Sequence, residues 1–153
     1  MINKALLTDI ELMYKACSGK QKEFFKAELD AAKGIQCSKL SDVFTKKEIA
    51  RIKALGLQKK DCYRNANLVT HAMPDRCSYV EGRVLVCGVP VDHAFVKVGD
   101  RYVDPTLEIL LNEDVTKLDY CSILELDCDT LFATLVESGY YGNLFGFLFA
   151  KNH

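Results

Sequence analysis

The fold is decided by the stretch VDHAFVKVGDRYVD, residues 91–104. It contains four valines, one phenylalanine and one tyrosine, and Gly99-Asp100 divides it into two short runs. Such a pattern predicts two antiparallel strands joined by a two-residue hairpin turn.

The register of this hairpin decides which side chains meet. With a two-residue turn, Val98 pairs with Arg101. Continuing outward, Phe95 lies opposite Asp104, and His93 lies one diagonal step from Asp104 on the same face. A turn longer by one residue would move Asp104 to the other face, because side chains alternate along a strand. The hairpin therefore predicts that His93 and Asp104 are neighbours.

Further strands are predicted around the hairpin. Ser78–Val86 has the same composition and is separated from the hairpin by Gly88-Val89-Pro90, so the three strands form an antiparallel meander. Tyr120–Leu126 fits another strand, and the apolar segment Leu107–Leu111 is left unassigned.

Helices are predicted at both ends of the chain. Apolar residues recur at helical spacing in two segments that end before Gly19 and Gly34. Thr45-Lys46-Lys47-Glu48 is a capping box that predicts a third helix, ending near Gly56. Near the C-terminus, Asp129 is predicted to cap a helix that ends at Gly139.

The aromatic segment from Gly139 to Phe149 follows this last helix. It fits either a final strand or a surface that binds a partner, and the sequence leaves both interpretations open.

Composition bounds the class of protein. A chain of 153 residues that is 49% apolar can bury one core, so we expect a single domain over residues 1–153, with a helical N-terminal region (residues 1–57), a central region (residues 58–110) and a C-terminal region (residues 111–153). The formal net charge of −1, with no long run of one sign, argues against a nucleic-acid or membrane-surface partner. Polar residues interrupt the N-terminal region and no apolar run reaches transmembrane length, so we expect a cytoplasmic protein.

The seven cysteines are an odd number without a secretory signal, and none form a Cys-x-x-Cys pair. We therefore expect reduced thiols, no metal site and no cofactor. Most of these cysteines are expected to be small buried hydrophobic residues.

A short helix carries the one cysteine whose position suggests chemistry. Asp61 is a good N-cap, Cys62 falls in the first turn, and Pro74 ends the helix. The free amides and positive macrodipole of a helix N-terminus favour the thiolate over the thiol. The negative charge of Asp61 opposes this effect unless its carboxylate caps the helix, so a protonated His93 has to supply part of the stabilisation.

Cys62, His93 and Asp104 occur in the chain order used by thiol-dependent acyl-transfer enzymes. A cysteine attacks a carbonyl as thiolate, a base takes its proton, and a third group holds the base in one tautomer. His71 is the weaker candidate base because it lies about 13 Å along the helix from Cys62. In the alternative interpretation, Asp104 only begins a turn with the proline and threonine that follow it.

An oxyanion hole is the remaining requirement of such a site. The Cys62 amide is one natural donor, and Gln58 is the best side-chain candidate, with a solvated loop residue as the alternative interpretation. Asn65 and Asn67 lie on the same helix and are weaker candidates for lining a cleft.

These motifs together resemble the core of the transglutaminase-like group within the papain-like cysteine proteases. The resemblance covers about the middle third of the chain. It rests on Cys62 at the start of a helix, a strand ending Tyr79-Val80-Glu81-Gly82, then His93-Ala94-Phe95, and Tyr102-Val103-Asp104-Pro105-Thr106 after a glycine turn. It implies an α+β fold with N-terminal helices, and a catalytic helix packed on an antiparallel sheet so that the three residues meet at the sheet edge.

By the same resemblance Cys62 is the nucleophile, His93 the base and Asp104 the orienting group. Phe95 stands where the family usually has tryptophan, and the chain contains no tryptophan. The expected function is cysteine protease, amidase or transglutaminase-like acyl transfer on an amide, peptide or thioester bond, with a protein, a peptide or a small amide as substrate. The alternative is a non-catalytic interaction module that uses the aromatic segment 139–149.

Overall fold

The computed structural model describes residues 1–153 as an α+β fold. The strands are β1 Lys33–Ile35, β2 Cys77–Val86, β3 Val89–Val98, β4 Arg101–Val103 and β5 Tyr120–Leu126. The α-helices are α1 Thr8–Ala16, α2 Gly19–Ala31, α3 Lys46–Lys53, α4 Cys62–Ala72, α5 Cys128–Ser138 and α6 Leu144–Asn152. Short helical turns lie at Lys4–Leu6, Leu40–Asp42, Thr106–Leu110 and Val115–Lys117. The five strands form one antiparallel sheet in the order β1-β5-β2-β3-β4.

The central hairpin has the predicted register. Val98 pairs with Arg101 and Val96 with Val103 across a two-residue turn. Gly99 has a φ of 64°, the left-handed conformation that such a turn requires. Since β4 pairs only with residues 96–98, β3 is the edge strand of the sheet at His93.

The turn that precedes β3 is placed differently from the prediction. Cys87 and Gly88 join β2 to β3, and Val89 and Pro90 belong to β3, where Pro90 pairs with Leu85. The predicted break at Gly88-Val89-Pro90 is therefore wrong. Proline is accommodated because this stretch of β3 lies at the sheet edge.

Several helix boundaries follow the sequence signals. The capping box of α3 is formed, with Thr45 Oγ1 accepting from the Glu48 amide at 3.1 Å and Glu48 Oε1 accepting from the Thr45 amide at 2.9 Å. The predicted cap of α5 is wrong, because Asp127, and not Asp129, accepts from the Thr130 amide at 2.8 Å. The aromatic C-terminal segment forms α6, so the alternative of a last strand is also wrong.

The two faces of the sheet bury different clusters. Val69 of α4 packs in the cluster that contains Ala94, whereas Phe95 packs with Tyr120 in a second cluster. Successive residues of a strand point to opposite faces, so His93 shares the face of Phe95. α4, including Cys62 at its start, packs against the cluster that contains Ala94, and His93 lies where β3 is the free edge of the sheet.

None of the helices is both long enough and apolar enough to cross a membrane.

Candidate active site

His93 and Asp104 form the buried centre of the site. His93 Nε2 lies 2.8 Å from Asp104 Oδ2, and the two residues are 5% and 0% exposed. Asp104 also accepts from the Tyr120 hydroxyl at 2.6 Å and from the Leu107 amide at 3.2 Å. These contacts fix the carboxylate and the ring, and they leave His93 Nδ1 available for proton exchange.

The charge of His93 is set by its neighbours. Burial lowers its pKa, but the charge of Asp104 and the hydrogen bond to it act in the opposite direction, and Cys62 adds to them. Together these effects raise the pKa of His93 to about 10. The ring is consequently an imidazolium at neutral pH. The contribution of Cys62 indicates that its thiol lies in the neighbourhood of the ring.

Cys62 is the first residue of α4 and is half-buried. Its amide belongs to the group of helix N-terminal N–H donors that have no intrahelical acceptor. Lys60, two residues earlier, has a φ of 61°, a left-handed conformation that is uncommon for a side-chain-bearing residue. This conformation produces the sharp turn into α4, a type of backbone strain that is frequent at functional sites.

Asp61 occupies the N-cap position without capping the helix. Its side chain accepts no hydrogen bond from α4 and lies 4.0 Å from Arg64 Nη1. The predicted N-cap position is therefore confirmed, although the carboxylate makes no capping hydrogen bond. The N-terminal amides of α4 consequently remain uncovered for a negatively charged ligand.

Gln58 is held beside the first turn of α4 by Asn65. The Gln58 amide donates to Asn65 Oδ1 at 3.0 Å, and Asn65 Nδ2 donates to the Gln58 carbonyl at 2.8 Å and to Thr106 Oγ1 at 3.1 Å. Asn65 is fully buried, whereas Gln58 is exposed. Asn65 therefore ties the oxyanion candidate, the helix and the segment after Asp104 together. Sequence reasoning expected it only to line a cleft.

His71, the weaker candidate base, lies outside this arrangement. Its Nδ1 is 3.0 Å from the carbonyl oxygen of Asn67, one turn back along α4, and its ring packs edge-on against Phe132. Asn67 is likewise directed away from the thiol, towards a groove shared with His71 and α5.

Tyr120 is the residue of the site that sequence reasoning missed. Burial and the negative charge of Asp104 raise the pKa of Tyr120, so the hydroxyl remains a donor to that carboxylate. Phe95 is fully buried and packs on Tyr120 with ring centroids 5.2 Å apart. Phe95 is thus a core residue below the His93 ring, with which it is stacked.

Glu81, for which no role was predicted, anchors the last helix. It is 5% exposed and accepts from the Tyr79 hydroxyl at 2.5 Å and from the Leu144 and Phe145 amides at 2.8 and 2.9 Å. Burial raises the pKa of this carboxyl, and the hydrogen bonds oppose the effect only in part. Glu81 therefore fixes α6 on the sheet.

The buried thiols elsewhere are unsuited to nucleophilic chemistry. Burial raises the pKa of Cys77 and of Cys121 to about 11, and it also raises the pKa of Cys37. Cys87 is exposed at the turn between β2 and β3. Cys128 also begins a helix, α5, but burial and the charges of Asp129 and Asp127 raise its pKa. Cys62 is the thiol that combines a helix N-terminus with a neighbouring imidazolium.

Comparison with known proteins provides no further identification: no family model, curated protein or solved structure matches the chain. No group of three or more histidine, cysteine, aspartate or glutamate side chains is arranged to hold a metal ion.

Proposed function

We propose that the chain is a thiol-dependent acyl-transfer enzyme of the transglutaminase-like type, with Cys62 as nucleophile, His93 as base and Asp104 as orienting group. The observation that carries the proposal is the pair formed by His93 and the buried carboxylate of Asp104, joined at 2.8 Å, with the imidazolium beside a half-buried thiol at the start of α4. The resemblance in motif order supports the same assignment. Nucleophile, base and orienting group in this order of contact are the requirements for covalent catalysis by cysteine.

The first step is attack of the Cys62 thiolate on a carbonyl carbon of the substrate. The carbon–sulfur bond forms while the carbonyl π electrons move to oxygen. The resulting oxyanion needs donors that are already in place, and the uncovered Cys62 amide is the main-chain candidate. Gln58, whose main chain is fixed by Asn65, is the side-chain candidate for a second donor.

The second step is collapse of this tetrahedral intermediate. The carbon–nitrogen bond of an amide, or the carbon–sulfur bond of a thioester substrate, breaks as His93 donates the Nδ1 proton to the leaving group. A thioester on Cys62 remains. His93 then accepts a proton from the second nucleophile, which attacks the thioester and releases Cys62 as thiolate, while Asp104 holds the ring through Nε2. Either water or an amine can be this second nucleophile, so the proposal covers both hydrolysis and acyl transfer.

Selective alkylation tests this proposal. With limiting iodoacetamide at neutral pH, we expect Cys62 to be modified first, as read by mass spectrometry of tryptic peptides. Cys87 is the control for exposure, because it is exposed whereas Cys62 is half-buried. If Cys87 reacts before Cys62, exposure alone governs reactivity and the proposal is refuted.

A second candidate, a non-catalytic interaction module, is favoured by one observation. Tyr140 and Tyr141 of the aromatic segment are 45% and 46% exposed, although both are large apolar residues. The same alkylation experiment separates the candidates, because an interaction module requires no preference for Cys62.

A further inference from the structure

A second site is formed by the far half of α4 together with α5 and the segment that follows α5. This groove has a volume of about 560 Å³, within the range of ligand sites, and most of its lining is hydrophobic. Phe132 and Val136, one turn apart on α5, are 60% and 70% exposed, and Tyr140 and Tyr141 extend the same surface. Four large apolar side chains exposed together mark a surface that binds another molecule.

One wall of the groove contains two buried polar atoms without partners. Asn67 is 6% exposed, and its Nδ2 makes no hydrogen bond. His71 Nε2, one helical turn further along α4, is also buried without a partner. Because His71 Nδ1 donates to the Asn67 carbonyl, Nε2 of the neutral ring is an acceptor. The wall therefore offers one donor and one acceptor, on residues about 6 Å apart along the helix axis.

Each of these atoms is costly to leave unpaired, because a buried donor or acceptor without a partner keeps its full desolvation penalty. The complementary ligand presents one acceptor and one donor on the same side, flanked by apolar groups. A peptide residue in extended conformation does this, since its own N–H and C=O point to the same edge, as they do in antiparallel pairing.

Both nitrogens are shielded from water in the structure. The edge of the Phe132 ring contacts the His71 ring, with centroids 6.2 Å apart. Phe132 is itself mostly exposed, so a change of its rotamer uncovers the histidine on the fast timescale of surface side chains.

We propose that this groove binds an extended apolar peptide segment, one residue of which accepts a hydrogen bond from Asn67 Nδ2 and donates one to His71 Nε2. The lining of the groove includes Asn67 and His71 but not Cys62, so the groove lies apart from the proposed acyl-transfer site. The ligand class that it indicates is a peptide or protein segment with apolar side chains on both sides of the paired residue.

Peptide titration of the full-length Cys62→Ala protein tests the groove without turnover. The probes are three blocked peptides, acetyl-Gly-Leu-X-Leu-Gly-amide with leucine, phenylalanine or valine at X, followed by amide and side-chain NMR. We expect saturable shifts of the Asn67 side-chain amide and of Phe132 and Val136. Asn67→Leu and His71→Phe should each weaken binding about threefold to tenfold, the effect of one hydrogen bond.

Two matched controls sharpen the test. Val136→Ser should weaken binding, whereas Leu12→Ser, which changes a 62% exposed apolar residue on α1, should not. A probe N-methylated at X lacks the donor for His71 Nε2, so its loss of affinity should disappear in His71→Phe. Asn67→Leu should not lower the melting temperature, because the donor that it removes is unpaired.

Three results overturn the proposal: no saturable binding of any probe, binding unaffected by Asn67→Leu and His71→Phe, or self-association that covers Phe132 and Val136. Its failure is distinguishable from failure of the proposed function. Preferential alkylation of Cys62 without peptide binding refutes the groove alone. Peptide binding with an unreactive Cys62 refutes the enzyme and leaves the groove.

Discussion

Asp104→Asn removes the charge of the central carboxylate while keeping its shape. Three donors face that carboxylate: His93 Nε2 and the Tyr120 hydroxyl at Oδ2, and the Leu107 amide at Oδ1. In either orientation the asparagine NH₂ group faces at least one of these donors. The variant thus loses both the counter-charge of His93 and some of its hydrogen bonding.

The magnitude follows from the proton affinity of His93. Its pKa is about 10 in the folded protein, against an ordinary value of 6.5. At about 1.4 kcal/mol for each tenfold change in affinity, the protonated ring stabilises the fold by up to roughly 5 kcal/mol. Because the pKa is raised, this stabilisation is complete below about pH 6.5 and is lost as the pH rises through about 10. In Asp104→Asn the burial of His93 is no longer balanced by the aspartate, and the pKa of the ring should fall below its ordinary value.

The assay is urea unfolding of wild type and Asp104→Asn at pH 6.5, 8 and 9.5, combined with an NMR titration of the His93 ring. The difference in the free energy of unfolding should be largest at pH 6.5 and should shrink towards pH 9.5. Asp129→Asn, at an exposed carboxylate, is the control and should show no such trend. A wild-type His93 that titrates near 6.5 would refute the reasoning even if the variant is too unstable to purify. A difference in the free energy of unfolding that is constant across this pH range would also refute it.

Three further substitutions have defined outcomes. Cys62→Ala should abolish acyl transfer while changing the free energy of unfolding by less than about 1 kcal/mol, because the thiol is half-buried; a large loss in urea unfolding would mark it as a core residue. Tyr120→Phe should cost about 1–3 kcal/mol, since the buried Asp104 loses a 2.6 Å donor, and an unchanged urea midpoint would contradict that role. Glu81→Ala should destabilise the protein by about 2 kcal/mol or more and increase hydrogen exchange first in α6, whose N-terminal amides lose their acceptor; uniform exchange would contradict the anchoring role.

The features of the site that could be predicted from the sequence are those set by residues close together in the chain. Gly99-Asp100 sets the hairpin register, and alternation then places His93 and Asp104 on one face. Cys62 at the start of a helix follows equally from the nearby N-terminal signal and Pro74.

Tyr120 was missed because its position depends on a non-local pairing. It reaches Asp104 through the pairing of β5 with β2, whose register shifts at a bulge between Glu81 and Gly82. A shift of one residue exchanges the faces of a strand, and sequence alone does not locate the bulge. Only glycine fits at position 82, since a Cβ there would lie 1.9 Å from the Cys121 carbonyl oxygen.

The C-terminal helix was ambiguous for a related reason. Its N-terminal amides bind Glu81, more than sixty residues earlier in the chain, and no nearby pattern indicates that partner. At Asp61 a nearby sequence signal is present but the expected contact is not. Asp61 is a favourable N-cap residue, yet its side chain lies near Arg64 and makes no capping hydrogen bond.

The pH dependence of Cys62 alkylation tests the central claim most directly. The rate with iodoacetamide is measured from pH 5 to 10 in wild type and in His93→Gln, with Cys87 as the internal reference. The account predicts that wild-type Cys62 reacts faster than Cys87 at pH 6 and that His93→Gln removes this advantage. If the rate at Cys62 instead rises only near the ordinary cysteine pKa of about 8.5, and His93→Gln leaves it unchanged, the pair formed by Cys62 and His93 is not an activated nucleophile.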